Sequence, residues 1–496
     1  MRCAHRWVRL PSPALLATAL LLPALPLAAQ GAPLTVSDSA LVGLVLQAED
    51  RADPRDPALA QAAAHADPRL RALAARARAR LSDPRFAARD SIAPVVPAWA
   101  PPVYAEPAWR LRFRALAGAR NDCSALTRAL TDDDWRVRLR GADLLGPPCA
   151  SNSENAVAEL TRWISTMPTD VSRRATGNVS WHAAAHAVVA LARVAPASAR
   201  PHIERLATHP SPWLRAYVVR AATALGDSAR LRRFVADADP NVRAEAVESL
   251  ARITAHADDA LWSTLVANDT AAQVVRVAAN ALAGTSRRDL AAIAGSVYER
   301  RWRTRTNDSE RDVRQALLRA AGRDTAEEAS VRQPRGLAPA TLARAVSLAL
   351  GADVRLRVTM ADASGGGTFT VRLRGDQAPL MAARIAQLAE SGWYDGRTWH
   401  RVEHDFVLQG GSPSANEYVG HHTFLRDELG TIAHPRGTVG MSTRGHDTGD
   451  AQWFVNLRDN ARLARDYTVF AEVVDGIDVV DDVLEGDVIA RIRVVR

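Results

Sequence analysis

Two stretches decide how this chain is read: Thr398-Trp-His-Arg-Val-Glu-His-Asp-Phe-Val-Leu-Gln-Gly-Gly411 and Gly437-Thr-Val-Gly-Met-Ser-Thr-Arg-Gly-His-Asp-Thr-Gly-Asp-Ala-Gln-Trp-Phe454. The first sets one arginine, one aromatic and one glutamine ahead of a Gly-Gly break. The second ends in Gln-Trp-Phe. Around them the apolar residues alternate with a period of two, as in half-buried strands. Val354-Arg-Leu-Arg-Val358 and Thr368-Phe-Thr-Val-Arg-Leu373 are two such runs, with Gly365-Gly366-Gly367 between them as a turn. Ala378 to Ser391 reads as a helix stopped by Gly392. Residues 351–496 are therefore expected to form one β-rich domain.

In order along this domain stand Ala378-Pro-Leu, Gly392-Trp-Tyr-Asp-Gly, Trp399-His-Arg, Phe406-Val-Leu-Gln-Gly-Gly411, Gly440-Met, Gln452-Trp-Phe and Tyr467-Thr-Val-Phe-Ala-Glu-Val. Each piece alone is weak, but their order and spacing are specific. From about Asp353 to Val495 the chain resembles the cyclophilins, the peptidyl-prolyl cis-trans isomerases. The resemblance implies a mainly-β closed antiparallel barrel with capping helices.

It also implies a chemistry. The X-Pro bond resists rotation by ~18–20 kcal/mol because of amide resonance. Twisting the bond leaves the proline nitrogen more basic. A catalyst needs a donor aimed at that nitrogen, an apolar pocket for the ring and a grip on flanking carbonyls, which amounts to selective binding of the twisted state. No nucleophile, metal or cofactor is required. By resemblance, Arg401 supplies the guanidinium, whose charge is permanent and whose donors are fanned in a plane. Phe406, Val407, Phe454 and Leu463 are expected to form the ring pocket, with Tyr467 at its rim. Gln409 and Gln452 are expected to bond the substrate and orient Arg401. Ser442 and Thr443 would hold its backbone like an added strand. His400 reads as a packing residue.

The chain departs from the family pattern at several positions. Arg462 stands where eukaryotic members often carry a tryptophan, which argues against tight cyclosporin binding. Tyr467 replaces a rim histidine, and Ser442-Thr443 replaces an alanine-asparagine pair. Val407 replaces a methionine, and Trp453 replaces a core phenylalanine. None of these removes the arginine.

Upstream, between about Ser37 and Gly322, a different pattern recurs. Asp67-Pro-Arg-Leu-Arg-Ala-Leu, Ser211-Pro-Trp-Leu-Arg-Ala-Tyr and Asp239-Pro-Asn-Val-Arg-Ala-Glu are three copies. Asp or Ser caps a helix and Pro fits its first turn. Val242, Ala246, Val247 and Leu250 then fall on one helical stripe. One such helix cannot bury its face alone, so neighbours must stack. The pattern resembles HEAT-type repeats, implying an all-α solenoid over residues 30–323. The shared arginines Arg215, Arg243 and Arg276 read as structural, since in such repeats an Asp and an Arg often bond between neighbouring units. His182 and His186 lie four apart, but no Cys, Glu or HExxH completes a metal set, so they read as helix histidines. The run Ile92 to Pro107 is a proline-rich insertion, and residues 324–350 read as a linker with a short helix.

The chain has 496 residues, 47% of them hydrophobic and 24% charged, as expected of a soluble multidomain protein. It contains no lysine, so all 63 basic residues are arginines. These alternate with Asp and Glu along helices rather than clustering, which argues against nucleic-acid binding. Residues 1–29 read as a signal peptide: Arg2, Arg6 and Arg9 precede the apolar run Pro13 to Leu27, and Ala28-Ala29 offer a cleavage site. That run is too short and too proline-rich to span a bilayer. The mature chain is thus expected to be secreted or periplasmic with no membrane span, and Cys123 and Cys149 could pair there. The functional expectation is an extracytoplasmic isomerase acting on proline-containing polypeptides, with the repeats holding clients or a protein partner. The alternative is a non-catalytic scaffold that only binds proline loops.

Overall fold

The computed structural model describes residues 34–82, 104, 106–174, 179–305, 308–330, 338–421, 423–430 and 432–495. The expected signal peptide and most of the proline-rich insertion lie outside these residues.

The amino-terminal part opens with helices Val36–Asp50, Pro57–Ala63 and Pro68–Ser82. Thr35 and Asp38 close a reciprocal cap on the first of them, and Asp56 caps the second ahead of Pro57. These helices were expected in the repeat array. Their buried residues, among them Val45, Leu46, Leu59 and Leu70, instead share one core with the carboxyl-terminal domain. The cause is local. Helix Val36–Asp50 lies against helix Pro339–Ala349. Arg80 donates to the carbonyls of Leu429 (2.8 Å) and Gln377 (2.5 Å) and to Glu49 (2.6 Å).

The array itself has one continuous inner layer. Helices Trp135–Leu144, His182–Val194, Pro212–Ala224, Pro240–Thr254, Ala272–Leu282 and Asp308–Ala320 each pack on the next, with shorter helices behind them. The repeat unit is built as its chemistry requires. Asp239 accepts the N–H groups of Asn241 and Val242, Pro240 fills the first turn, and Val242, Ala246, Val247 and Leu250 are buried. Arg215 pairs with Asp237 at 2.7 Å, and Arg243 with Asp269 at 2.9 Å. Cys123 and Cys149 are joined by a disulfide, with a Cα separation of 5.3 Å.

The strand-rich domain comprises β1 (Arg355–Met360), β2 (Thr368–Leu373), β3 (Trp399–Val402), β4 (Val407–Gly410), β5 (Thr438–Met441), β6 (Trp453–Asn456), β7 (Val469–Asp475) and β8 (Ile489–Val495). They form one antiparallel sheet in the order β3-β4-β6-β5-β7-β2-β1-β8. The expected closed barrel is not observed: the sheet is curled and open along one side. β8 spends its length on β1, and β3 turns back into β4 after only four residues. The two outer strands meet over a short stretch, at the bridge between Thr398 and Val488 and the backbone hydrogen bonds that flank it between residues 396–399 and 486–489. Helix Pro379–Glu390 packs on β7 and β8, and the short helix Ile477–Asp482 packs on β2. Trp399 and Trp453 meet edge to face in the interior at 5.1 Å, so the tryptophan that departs from the family pattern is accommodated as core. Among the described residues, no helix is long and apolar enough to cross a membrane.

Candidate functional site

Strand register gathers the candidate residues. Arg401 of β3 pairs with Gln409 of β4, and Gln409 pairs with Phe454 of β6. On the far side of β6, Phe454 lies opposite Gly440 of β5. Period-two geometry then turns Val407 and Phe454 to one hollow. Leu463 joins them from the turn Ala461–Leu463, and half-buried Phe406 and Tyr467 form the wall. The Tyr467 ring meets Phe454 edge-on at 5.7 Å. All five expected pocket residues are thus together.

Arg401 stands beside that hollow, its guanidinium carbon 5.7 Å from the Phe406 ring centroid. Its side chain is 37% exposed. Glu403 takes its Nε at 2.8 Å, and Glu417 takes its Nη1 at 2.8 Å. Burial would lower the pKa of this group, but Glu417 and Glu403 outweigh it and push the pKa up. The two glutamines were expected to orient Arg401. They bond elsewhere: Gln409 Nε2 donates to Ser442 Oγ (2.9 Å) and Gln452 Oε1 (3.2 Å), and Gln452 Nε2 donates to the Val419 carbonyl (3.0 Å). In this chain the groups that hold the guanidinium are two carboxylates. The register explains Glu403, which lies two residues beyond Arg401 on the same side of the chain. Thr443 follows Ser442 in the loop after β5 and is half-buried.

One further residue, His434, went unread in the sequence. His434 stacks on Phe454 at 6.1 Å and bonds the Tyr467 carbonyl at 3.2 Å. Burial pushes its pKa down to about 4, so it backs the pocket as a neutral ring. Arg462 lies over Phe406 with its guanidinium carbon 4.1 Å from the ring centroid. It covers a ring face as a tryptophan would, by a cation–π contact instead of stacking. His400 is buried, and burial holds its pKa down at about 4, which fits a packing role.

The repeat array walls this site. Each of the six inner helices reaches the strand-rich domain. Arg136 donates to the Asp481 carbonyl, His182 bonds the Glu485 carbonyl, and Tyr217 donates to the Glu485 carboxylate. Asn241 donates to the Ser414 carbonyl, Arg276 lies 3.6 Å from the Tyr418 ring centroid, and Asp312 pairs with Arg444 at 2.5 Å. Arg276 thus leaves the Arg–Asp pattern of Arg215 and Arg243 to hold the loop that carries Glu417. The turn after β3 reaches the other way, setting His404 among the rings of Trp109, Phe113 and Trp135. A cleft of about 770 Å³ remains between array and sheet, with Arg401 in its wall.

The strand-rich domain and part of the array are similar to known proteins. The family model described as cyclophilin type peptidyl-prolyl cis-trans isomerase/CLD matches residues 356–495, and a HEAT repeats model matches residues 203–283. Peptidyl-prolyl cis-trans isomerase B of Bacillus subtilis (strain 168) is 33% identical over 131 residues, which are 26% of this chain and 92% of that protein. A peptidyl-prolyl cis-trans isomerase of Helicobacter pylori (strain J99) is 32% identical over 130 residues, covering 25% of this chain and 80% of its own length. A solved cyclophilin type isomerase of Cryptosporidium parvum aligns with 29% of this chain and 99% of its own, at 20% identity and a TM-score of 0.27.

Proposed function

This chain belongs to the cyclophilin-type peptidyl-prolyl cis-trans isomerases, and from that premise we propose that Arg401 and the hollow beside it catalyse X-Pro rotation in extracytoplasmic polypeptides. The observation that carries the reading is the guanidinium standing beside Phe406, at the edge of the apolar cluster of Val407, Phe454 and Leu463.

In this reading the proline ring enters the hollow, which excludes water from one face of the bond. Arg401 donates to the nitrogen as its lone pair localises and to the neighbouring carbonyl. Two carboxylates already satisfy its Nε edge and one side of Nη1, so it enters the reaction with its orientation fixed. Gln409, held by Ser442 and Gln452, grips the flanking backbone. Stabilisation grows as the bond twists, which is what lowers a barrier.

The disulfide supports an oxidising location, together with the apolar leader read in the sequence. The repeats, packed along one side of the site, support a role in holding clients or a partner. The test is a protease-coupled or refolding assay on the full chain with Arg401→Ala. Loss of one oriented donor should lower kcat/KM by about 100- to 1,000-fold. Equal rates reject the mechanism, and peptide binding with no acceleration in the wild type leaves the proline-binding scaffold.

A further inference from the structure

We propose that the cleft between the inner helix layer and Arg401 is a second substrate subsite, which takes the segment flanking the proline and selects clients whose flank carries arginine or lysine. The assignment rests on the isomerase reading of Arg401.

Continuity is the first argument. Arg401 and Glu403 line the same cleft as Trp213, Tyr217, Glu245 and Glu248 of the array, so a chain whose proline sits at Arg401 must leave along or past that wall. At about 770 Å³ the cleft is within the size range of ligand sites. It is also held open from both ends, by His182 on Glu485 and by Asn241 and Arg276 on the 414–418 loop.

Charge decides the occupant. The chain as a whole carries a formal charge of +8. The cleft is the reverse, with seven carboxylates against four guanidinium groups in its lining. Those guanidinium groups are already engaged. Arg401 holds Glu403 and Glu417, and Arg220 lies 3.6 Å from Glu245. Arg276 covers Tyr418, and Arg193 donates to the Asp143 carbonyl. Two carboxylates pair with no arginine side chain among the described residues. Exposed Glu248 has no described partner and Asp143 faces His186, while Glu485 accepts from Tyr217 and shares the charge of Arg220 with Glu245. Low-dielectric walls of one sign concentrate cations. Trp213, half-buried in the same wall and stacked on Trp181 at 6.1 Å, adds an aromatic ring of the kind that attracts an arginine or lysine head group.

The experiment uses the full chain and three fluorescent peptides: a short neutral X-Pro peptide, and the same peptide extended at both ends by arginines or by glutamates. kcat/KM and Kd by anisotropy are measured for the wild type and for the Asp143→Asn, Glu248→Gln double variant, whose changed residues lie on the array and are partly exposed. The expected result is about a tenfold preference for the arginine-extended peptide at low salt. That preference should shrink at 1 M salt and in the double variant, while turnover of the short peptide stays unchanged. Equal kcat/KM for the two extended peptides overturns the subsite, as does a preference that survives both salt and substitution. If the short peptide is not turned over, the isomerase reading fails separately, and the anisotropy preference still decides the subsite.

Discussion

Gly440 is the floor under the pocket's aromatic ring, and an alanine there tests the whole site at one atom. A Cβ built on Gly440 would lie 2.4 Å from Phe454 Cζ and 2.9 Å from both Cε atoms. Ordinary contact begins near 3.4 Å, so the ring must move by about 1 Å. Gly440 pairs directly with Phe454 across β5 and β6, and β4 closes the other side of β6. The strands cannot part without breaking the ladder. The ring's remaining freedom is toward Val407 and Leu463, into the hollow. Overpacking of this kind costs about 1–3 kcal/mol. If that cost falls on the substrate complex, kcat/KM drops by about 5- to 150-fold. A protease-coupled assay on Gly440→Ala reads the drop, with the urea midpoint as a check on folding. The double variant Gly440→Ala, Phe454→Leu should be no slower than Phe454→Leu alone, because the two changes act on one contact. A folded Gly440→Ala protein with undiminished kcat/KM would refute the placement of Phe454 in the substrate pocket.

The other predictions concern stability. Arg174→Met removes the guanidinium that sits 2.5 Å from the Asp487 carboxylate at the junction of array and sheet. Leaving that buried charge unpaired should cost about 3–5 kcal/mol, read as a lower urea midpoint; an unmoved midpoint contradicts the junction. Reducing the Cys123–Cys149 bridge, which closes a loop of sequence separation 26, should cost about 3 kcal/mol of array stability. Thermal unfolding with and without reductant measures it, and identical curves would show that the bridge adds nothing. Burial holds His434 at about 4, below its ordinary 6.5. The unfolded chain therefore takes up the proton first, so its stabilising effect is complete above pH 6.5 and is lost as pH falls toward 4. The stability difference between wild type and His434→Gln should shrink by about 1.4 kcal/mol per pH unit across that window. A pH-independent difference would mean that His434 titrates normally.

Much of the site was legible because it is local or periodic. Arg401, Phe406, Val407 and Gln409 fall on one β3–β4 hairpin, and Gln452 and Phe454 adjoin β6. Short motifs in fixed order carry such an arrangement, and alternation tells which residues share a face. The repeat helices were legible for the same reason, since Asp239, Pro240 and the stripe from Val242 to Leu250 are all encoded within one turn-and-helix unit.

The rest was not, because it depends on contacts between distant segments. Nothing near Arg401 shows that Glu417 will reach it, since that loop is placed by Asn241 and Arg276 of the array. The same is true of helices Val36–Asp50 to Pro68–Ser82, whose apolar faces fit either core and whose choice is made by Glu49, Arg80 and helix Pro339–Ala349. The opening of the sheet follows from the paths of the segments that lead into β3 and β8, which bond each other only between residues 396–399 and 486–489 among the described residues. Local sequence thus determined the elements, the faces they bury and the residues of the pocket. Tertiary structure decided which surface faces the pocket, because apolar burial is non-directional and only the assembled chain specifies which face each stripe meets.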